Sequence, residues 1–372
     1  MLNMLNNDRH RFFQLFWLVG LFVSTAAVPV VKATSSPIEK AAITSGVIWK
    51  DDQGRPVELH GLGLLAPPLH PLGTSGKYYF VGTSKKTQSS AWLSSGINLY
   101  STFDLQHWHF EAQIFTNESI TTPIPTGEAL QYRMERPKLL YNALTKKYVL
   151  YFHLDSSHFK MGMVAVATSN TIDGDYKFVR GYQPDGLVSF DMTMYQDHAS
   201  GAAYLIRSVH NSFVGISQLA ADFLDTTGII SNGSKFEGQT MWKDSSGKGY
   251  YMLGSHLSGW KANAAILSHT NQSTLHGATW TVLGNPSFSS TTFNSQSTFV
   301  LPYRHSKSGK MLYIYMADRW NNAGPGSVGN ASYVWLPMTE CTTTSSAACG
   351  GLPYKIHGLN GSGDGVWKID EY

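Results

Sequence analysis

Three carboxylates stand out in this chain of 372 residues: Glu135, Asp191 and Glu237. Asp and Glu together number only 25, so one set inside an apolar or aromatic run calls for a reason. Glu135 lies in Tyr132-Arg133-Met134-Glu135-Arg136-Pro137-Lys138, where Arg136 and Lys138 are close enough in sequence to keep it ionised. Asp191 lies in Val188-Ser189-Phe190-Asp191-Met192. Glu237 follows Phe236, and burial there would raise its pKa and leave it protonated. Two carboxyl groups, one giving a proton to the leaving oxygen and one assisting the displacement, are what glycosidic-bond hydrolysis requires. Singly, each reads first as a structural hydrogen-bond acceptor, and spacing alone does not choose.

Other chemistries have no motif here. The 14 His residues include no His-x-x-x-His pair, and neither Cys-x-x-Cys nor a calcium loop occurs, so no metal site and no cofactor is expected. The Gly-x-Ser-x-Gly elbow and the P-loop are absent. Gly61-Leu62-Gly63 is a two-glycine fragment without a βαβ setting. Charged residues make up 14% of the chain, which gives no basic field for nucleic acid and none of the high charge that goes with disorder.

The elements that must carry these residues are strands. Aromatic and β-branched runs begin at Tyr78, Tyr148, Ala203, Tyr250 and Leu312, each after a polar or Gly-containing turn. Second runs follow at Ile97–Thr102 and Met163–Ser169, each leading into a turn and an aromatic. These are strand signals. Five similar units in one chain predict an all-β, five-bladed propeller; an all-β sandwich would use the same runs. A short helical turn is expected only around Ser217–Leu224. Lone tryptophans such as Trp108 are expected to pack between blades.

No linker divides residues 40–372, which read as one catalytic domain. Ahead of it, Arg9, His10 and Arg11 precede the apolar stretch Phe12–Val31 and the small residues up to Ala33. Residues 1–33 have the layout of a secretory signal peptide; an uncleaved anchor is the alternative. Their removal takes Arg9, Arg11, Lys32 and Asp8, and the formal charge falls from +3 to +1. A secreted, extracellular protein is expected, with a disulfide between Cys341 and Cys349. Sequons at Asn117, Asn232, Asn271, Asn330 and Asn360 are glycosylation candidates.

Several blocks, in order, carry a family resemblance. They are His60-Gly61-x-Gly63, Glu135-Arg136-Pro137-Lys138, Phe152-His153-x-Asp155-Ser156-Ser157 and Asp191 with Tyr195-Gln196-Asp197. Further on come Glu237-Gly238, Ser255-His256-x-Ser258-Gly259-Trp260, Asn294-Ser295-Gln296, Asp318-Arg319-Trp320 and Tyr333-Val334-Trp335. The set resembles glycoside hydrolase family 43, and within it the exo-β-1,3-galactanase (galactan 1,3-β-galactosidase) branch. The likeness implies a five-bladed propeller that releases galactose from the non-reducing end of β-1,3-galactan with inversion. It makes Glu237 the general acid, Asp191 the group that tunes the acid and holds the sugar, and Glu135 a binder of the terminal galactose. Most of the family has an Asp in the first blade as general base. This chain has none there, as in the galactanase branch, and the likeness gives Gln296 the task of positioning water.

The implied substrate-binding residues are His60, Thr83, Phe159, Trp260, Arg319 and Trp320. Thr83, Phe159 and Leu257 depart from the residues usual in the branch. A polysaccharide or oligosaccharide partner is expected, with no nucleic acid, no stable membrane partner and a monomeric state. Two alternatives stay open: another family 43 specificity, such as arabinofuranosidase or xylosidase, and a propeller that binds glycans without cleaving them.

Overall fold

A computed structural model of the protein describes residues 37–372 apart from positions 70, 72–75, 86–93, 122–131, 307, 321–324 and 342–345. The chain divides into two units, Met1–Thr34 and Ser35–Tyr372. The predicted signal peptide, 1–33, lies outside the described residues. The second unit is an all-β, five-bladed propeller. Among the described residues it has no α-helix, only short 3₁₀ turns.

The first strand, β1 (Ala42–Ser45), stands apart from the blades. Blade 1 is then β2 (His60–Leu65), β3 (Tyr78–Thr83), β4 (Ile97–Thr102) and β5 (His109–Phe115). Blade 2 is β6 (Arg133–Asn142), β7 (Lys147–Asp155), β8 (Met163–Ser169) and β9 (Lys177–Tyr182). Blade 3 is β10 (Ser189–Gln196), β11 (Ala203–Val209), β12 (Phe213–Leu219) and β13 (Thr226–Gly233). Blade 4 is β14 (Glu237–Lys243), β15 (Tyr250–Ser255), β16 (Ala265–Thr270) and β17 (Thr281–Gly284). Blade 5 is β18 (Gln296–Arg304), β19 (Met311–Arg319), β20 (Ser332–Glu340) and β21 (Tyr354–Ile356). Each blade is a four-stranded antiparallel meander, and the five aromatic runs read from the sequence are its second strand in every case. The stretch read as a helical turn is instead the end of β12, followed by a turn in which the Ala220 N–H donates to Asp225 O at 2.8 Å.

Second strands lie in mid-blade with neighbours on both sides, which explains their unbroken hydrophobicity. β7 is buried from Tyr148 to Asp155, and β19 from Leu312 to Asp318. Five apolar clusters fill the interfaces between blades. Phe115 and Phe152 meet between blades 1 and 2, and Trp242, Tyr313 and Tyr354 between blades 4 and 5. Trp108 is 2% exposed and belongs to the core, as expected.

Every blade is built from consecutive strands, so no strand is exchanged to close the ring. The chain ends close it instead. β1 pairs antiparallel with β22 (Gly365–Lys368), and this ribbon lies over the seam of blades 5 and 1. The Trp367 indole N–H donates to Trp335 O at 2.9 Å, and Ser45 Oγ accepts from the Trp335 N–H at 3.1 Å. Beside it, Trp49 stacks on Tyr333 with centroids 4.6 Å apart and on Trp108 at 5.4 Å. The Tyr333 hydroxyl bridges to blade 1, donating to Val57 O and accepting from the Leu59 N–H, both at 2.8 Å. Cys341 and Cys349 form a disulfide beyond β20.

Truncation at this seam should loosen the whole ring. Trp367→Ala is expected to cost about 3–5 kcal/mol. Val366→Ala, at a neighbouring residue that is 63% exposed, should stay within about 0.5 kcal/mol. Urea unfolding of both variants checks this, and equal losses would mean that the ribbon does not close the propeller.

Candidate active site

The first strand of each blade lines the central channel, and each contributes near its start to one pocket. His60 opens β2, Glu237 opens β14 and Gln296 opens β18, while Glu135 and Asp191 are the third residues of β6 and β10. In every one of these strands the pairing with its neighbour shifts at that point. The shifts fall between His60 and Gly63, Glu135 and Lys138, Ser189 and Met192, Glu237 and Thr240, and Ser297 and Phe299. Bulges of this kind re-aim side chains and increase local twist. In blades 1, 2 and 4 the residue after the site residue has a left-handed φ: Gly61 at +67°, Arg136 at +53° and Gly238 at +62°. Pro137, which has no N–H to offer a ladder, sits in the bulge of blade 2, a place where sheets tolerate proline.

The pocket has a volume of about 350 Å³, at the small end of the ~300–1,000 Å³ range of ligand sites. His60, Glu135, Arg136, Asp191, Glu237 and Gln296 line it, with His153, Phe159, Phe190, Asn211, Gly259, Trp260 and Trp320. Arg136 is the hub. Its guanidinium meets Asp191 Oδ2 at 2.9 Å, donates to Ser297 O at 2.8 Å and donates to Gln296 Oε1. Arginine only donates, so this contact fixes the orientation of the Gln296 amide. Gln296 Nε2 then donates to Glu237 Oε1 at 3.2 Å and to Ser255 Oγ at 2.8 Å.

The two facing carboxyls are in opposite states. Burial alone would raise the Asp191 carboxyl, but Arg136, His153 and the Gly238 N–H at 3.0 Å hold it below the usual range. Burial, reinforced by the Asp191 charge, pushes Glu237 up to about 8. One ionised and one protonated carboxyl, both on the pocket wall, form an acid–anion pair whose members are set apart by environment.

Glu135 does not use the cations next to it in sequence. Arg136 turns to Asp191, and Lys138 Nζ donates to Gly61 O and Leu62 O, both at 2.9 Å. Instead Glu135 lies 3.7 Å from Arg133 and 3.2 Å from His153 Nδ1. His153 Nε2 is 3.1 Å from Asp155. Burial would lower the His153 pKa, but the carboxylates on either side raise it to about 9. Asp155 accepts from the N–H groups of Ser156, Met161 and Gly162.

Trp260 and Trp320 meet edge to face at 5.6 Å, and the Trp320 indole N–H donates to Trp260 O at 2.8 Å. Both combine packing with a pocket face. Phe159 is 38% exposed and lies over the Arg133 guanidinium at 4.2 Å. Two residues expected at the sugar are elsewhere. Thr83 is fully buried, its hydroxyl donating to Met134 O at 2.7 Å. Arg319 straps the chain end to blade 5, donating to Phe293 O at 2.8 Å and Ser362 O at 2.9 Å, with Asp364 as its ion-pair partner.

Sequence reading missed Arg136, His153, Phe190 and Asn211 as pocket residues, and Asp155 and Asp318 behind it. For His153 and Asp155 the signal was available, because residues two apart in a strand share a face. For Arg136 there was none, since its reach across the channel depends on a bulge.

No family model matches the chain, and no curated protein matches it. Solved structures do. The exo-β-1,3-galactanase of Phanerochaete chrysosporium, as a Glu-to-Gln variant holding β-1,3-galactotriose, is 28% identical with a TM-score of 0.71. The match covers 88% of this chain and 68% of that one. The exo-β-1,3-galactanase of Clostridium thermocellum is 26% identical with a TM-score of 0.72, over the same shares. A family 43 β-1,3-galactosidase bound to galactodeoxynojirimycin is 28% identical with a TM-score of 0.67, covering 84% of this chain and 98% of that one. The propeller and these relatives make the chain a glycoside hydrolase. It is similar to family 43 and, within it, to the exo-β-1,3-galactanase branch.

The hub can be tested apart from turnover. Arg136→Met leaves Asp191 without its cation, and breaking a buried pair from one side costs about 3–5 kcal/mol. Urea unfolding should show that loss, and adding Asp191→Asn should restore part of it. Equal stability of wild type and Arg136→Met would remove Arg136 from the centre of the site.

Proposed function

We propose that the protein is an exo-acting β-1,3-galactanase, releasing galactose from the non-reducing end of β-1,3-galactan with inversion at the anomeric carbon. The observation that carries this is the pairing of a protonated Glu237 with an ionised Asp191 in a pocket sized for a sugar or two. The printed activities of the solved relatives support the linkage.

In this reading Glu237 gives its proton to the glycosidic oxygen as the bond to C1 breaks. Asp191 keeps Glu237 protonated and accepts from a sugar hydroxyl. Glu135, held by His153 and Arg133, binds the terminal galactose. Gln296 positions the attacking water through the unshared side of Oε1. Trp260, Trp320, Phe159 and His60 line the sugar. An inverting displacement needs room for that water, roughly 6.5–9.5 Å between the groups that give and take protons.

The reading includes export. The layout of residues 1–33 and the Cys341–Cys349 disulfide support it, since disulfides persist in oxidising compartments. Asn232, Asn271, Asn330 and Asn360 are exposed sequons suited to glycosylation. Asn117 is less suited, because its amide donates to Ser94 O and accepts from the Tyr132 N–H.

Purified protein incubated with β-1,3-, β-1,4- and β-1,6-galactobiose, and with xylan and arabinan oligomers, should release galactose from the β-1,3 compound alone. Arabinose or xylose as the only product would overturn the assignment. Glu237→Gln should bind galactobiose with turnover reduced by roughly 10²–10⁴-fold, the share owed to a general acid. If wild type and variant bind equally and neither cleaves, the protein is a lectin.

The pH profile carries its own sign. Glu237 works only while protonated, so kcat should fall as pH rises through about 8. On the acid side activity should fall as Asp191 gains a proton, below the ordinary carboxylate range. A profile flat to pH 10 would exclude Glu237 as the acid.

In an exporting host, protein recovered from the medium should begin at Thr34. Cell-bound protein that still begins at Met1 would contradict export.

A further inference from the structure

We propose that His153 is a positioning residue that works as a fixed cation: an imidazolium held between Asp155 and Glu135, which orients Glu135 toward the sugar and joins Arg136 in holding Asp191 as an anion. The inference deepens the glycosidase reading above and rests on it.

The strand register sets the charges out. β6 and β7 pair so that Arg133 stands opposite Asp155, and Glu135 opposite His153. Residues two apart in a strand share a face, and so do cross-strand partners. The four side chains therefore form a two-by-two array in which each anion has a cation across from it, provided that His153 is charged. Opposite charges directly across a ladder stabilise it.

The hydrogen bonds make the same demand. His153 Nδ1 lies 3.2 Å from Glu135 Oε2, and Nε2 lies 3.1 Å from Asp155 Oδ2. A neutral imidazole has one N–H and an imidazolium has two. Asp155 has no proton to give. Its Oδ1 accepts from the Ser156 and Met161 N–H groups, both at 2.8 Å, and its Oδ2 from the Gly162 N–H at 3.0 Å. Burial would raise the Asp155 carboxyl, but His153 and these N–H groups keep it low. Nε2 therefore carries a proton. A second proton at Nδ1 turns the Glu135 contact from two facing lone pairs into a donated hydrogen bond.

Aromatic rings close over the cation. Phe159 lies parallel to the His153 ring at 6.3 Å, and Phe190 meets it edge to face at 6.0 Å. Phe159 also covers the Arg133 guanidinium, and it does so from a left-handed φ of +55°, which is costly for a bulky residue. The charged groups that act on His153 are Arg133 and Glu135 from β6, Asp155 from its own strand and Asp191 from β10. On the other side, β8 places Val164 opposite it.

The same cation reaches the acid pair. Burial would raise the Asp191 carboxyl, and Arg136 and then His153 are the charges that lower it. Arg136 touches Asp191. His153 acts at longer range, through buried surroundings whose low dielectric carries a charge further than water does. One imidazolium thus serves the residue that binds the sugar and the residue that keeps Glu237 protonated.

Two measurements test this. In protein carrying ¹⁵N-labelled histidine, the His153 ring is identified by the signals missing from His153→Gln or, where that variant does not fold, by its contacts with the ring protons of Phe159 and Phe190. Both ring nitrogens should be protonated at pH 7, and titration should wait until pH approaches about 9. A ring with one bare nitrogen at pH 7 would overturn the proposal. On β-1,3-galactobiose, His153→Gln removes the cation and Asp155→Asn removes the anion that favours it. Both should raise KM roughly 10–100-fold, the worth of a hydrogen bond to a charged group. Without the second cation Asp191 gains its proton more readily. The acid limb of the kcat profile should therefore move up by about one pH unit, the low end of what a nearby opposite charge is worth. A merely structural role would lower the yield of folded protein and leave that limb in place. An unmoved limb and KM in folded variants would overturn the proposal. If that result came with an active wild type and an impaired Glu237→Gln, the glycosidase reading would stand without the His153 charge. A wild type that cleaves nothing would sink both.

Discussion

The Arg136 guanidinium is the interaction on which the rest of the site depends. It holds Asp191 as an anion, and that anion, with burial, keeps Glu237 protonated. It also turns the Gln296 amide so that its N–H groups meet Glu237 and Ser255. One cation therefore fixes the state of Asp191 and one amide orientation, and bears on Glu237 through Asp191 while its own charge pulls the Glu237 pKa down, in residues from blades 3, 4 and 5. The cost is local. Arg136 adopts a left-handed φ, a strain of about 1–3 kcal/mol that persists only where surrounding contacts over-determine it.

The propeller makes this arrangement possible by repetition. Five first strands begin at one mouth of the channel, and each is bulged just where a site residue must turn toward it. Regular strands would alternate their side chains between neighbouring blades. The bulge breaks that alternation for a residue or two. Behind it, Lys138 donates to the carbonyls of Gly61 and Leu62 and ties the bulges of blades 1 and 2 together. Burial and the nearby Arg136 charge lower its pKa well below that of an ordinary lysine, a sign of how closely it is enclosed.

Much of the fold was legible because mid-blade strands carry their pattern in sequence. The five aromatic runs are second strands, and Ile97–Thr102 and Met163–Ser169 match third strands to the residue. First strands were harder, because the site residues interrupt their pattern. Glu135, Asp191 and Glu237 could be picked out as isolated carboxylates, and Gln296 only through the family resemblance. Their partners could not, since partner choice is set by the bulges. Arg136 and Lys138 look like ion-pair partners for Glu135, yet each reaches across to another blade. Arg319 sits between two residues that face inward at the site, Asp318 and Trp320, but strand alternation turns it toward Phe293 and Ser362.

The low charge content takes a different meaning once the charges are located. Lys85, Arg133, Glu135, Arg136, Lys138, Asp155, Arg207 and Asp318 are all less than a tenth exposed, although charged residues are rarely buried that far without partners. Apart from Lys85 and Arg207, these lie in first or second strands of blades 2 and 5 around the channel mouth or just beneath it. A protein with few charges has placed a large share of them inside, where low dielectric strengthens each contact and sets protonation states. What remains outside mixes Ser, Thr, Asn and Gly with scattered charges of both signs, a surface with no single-sign field to steer an uncharged sugar. Selectivity for such a substrate then has to arise within the pocket, from groups whose states were fixed before the sugar arrived.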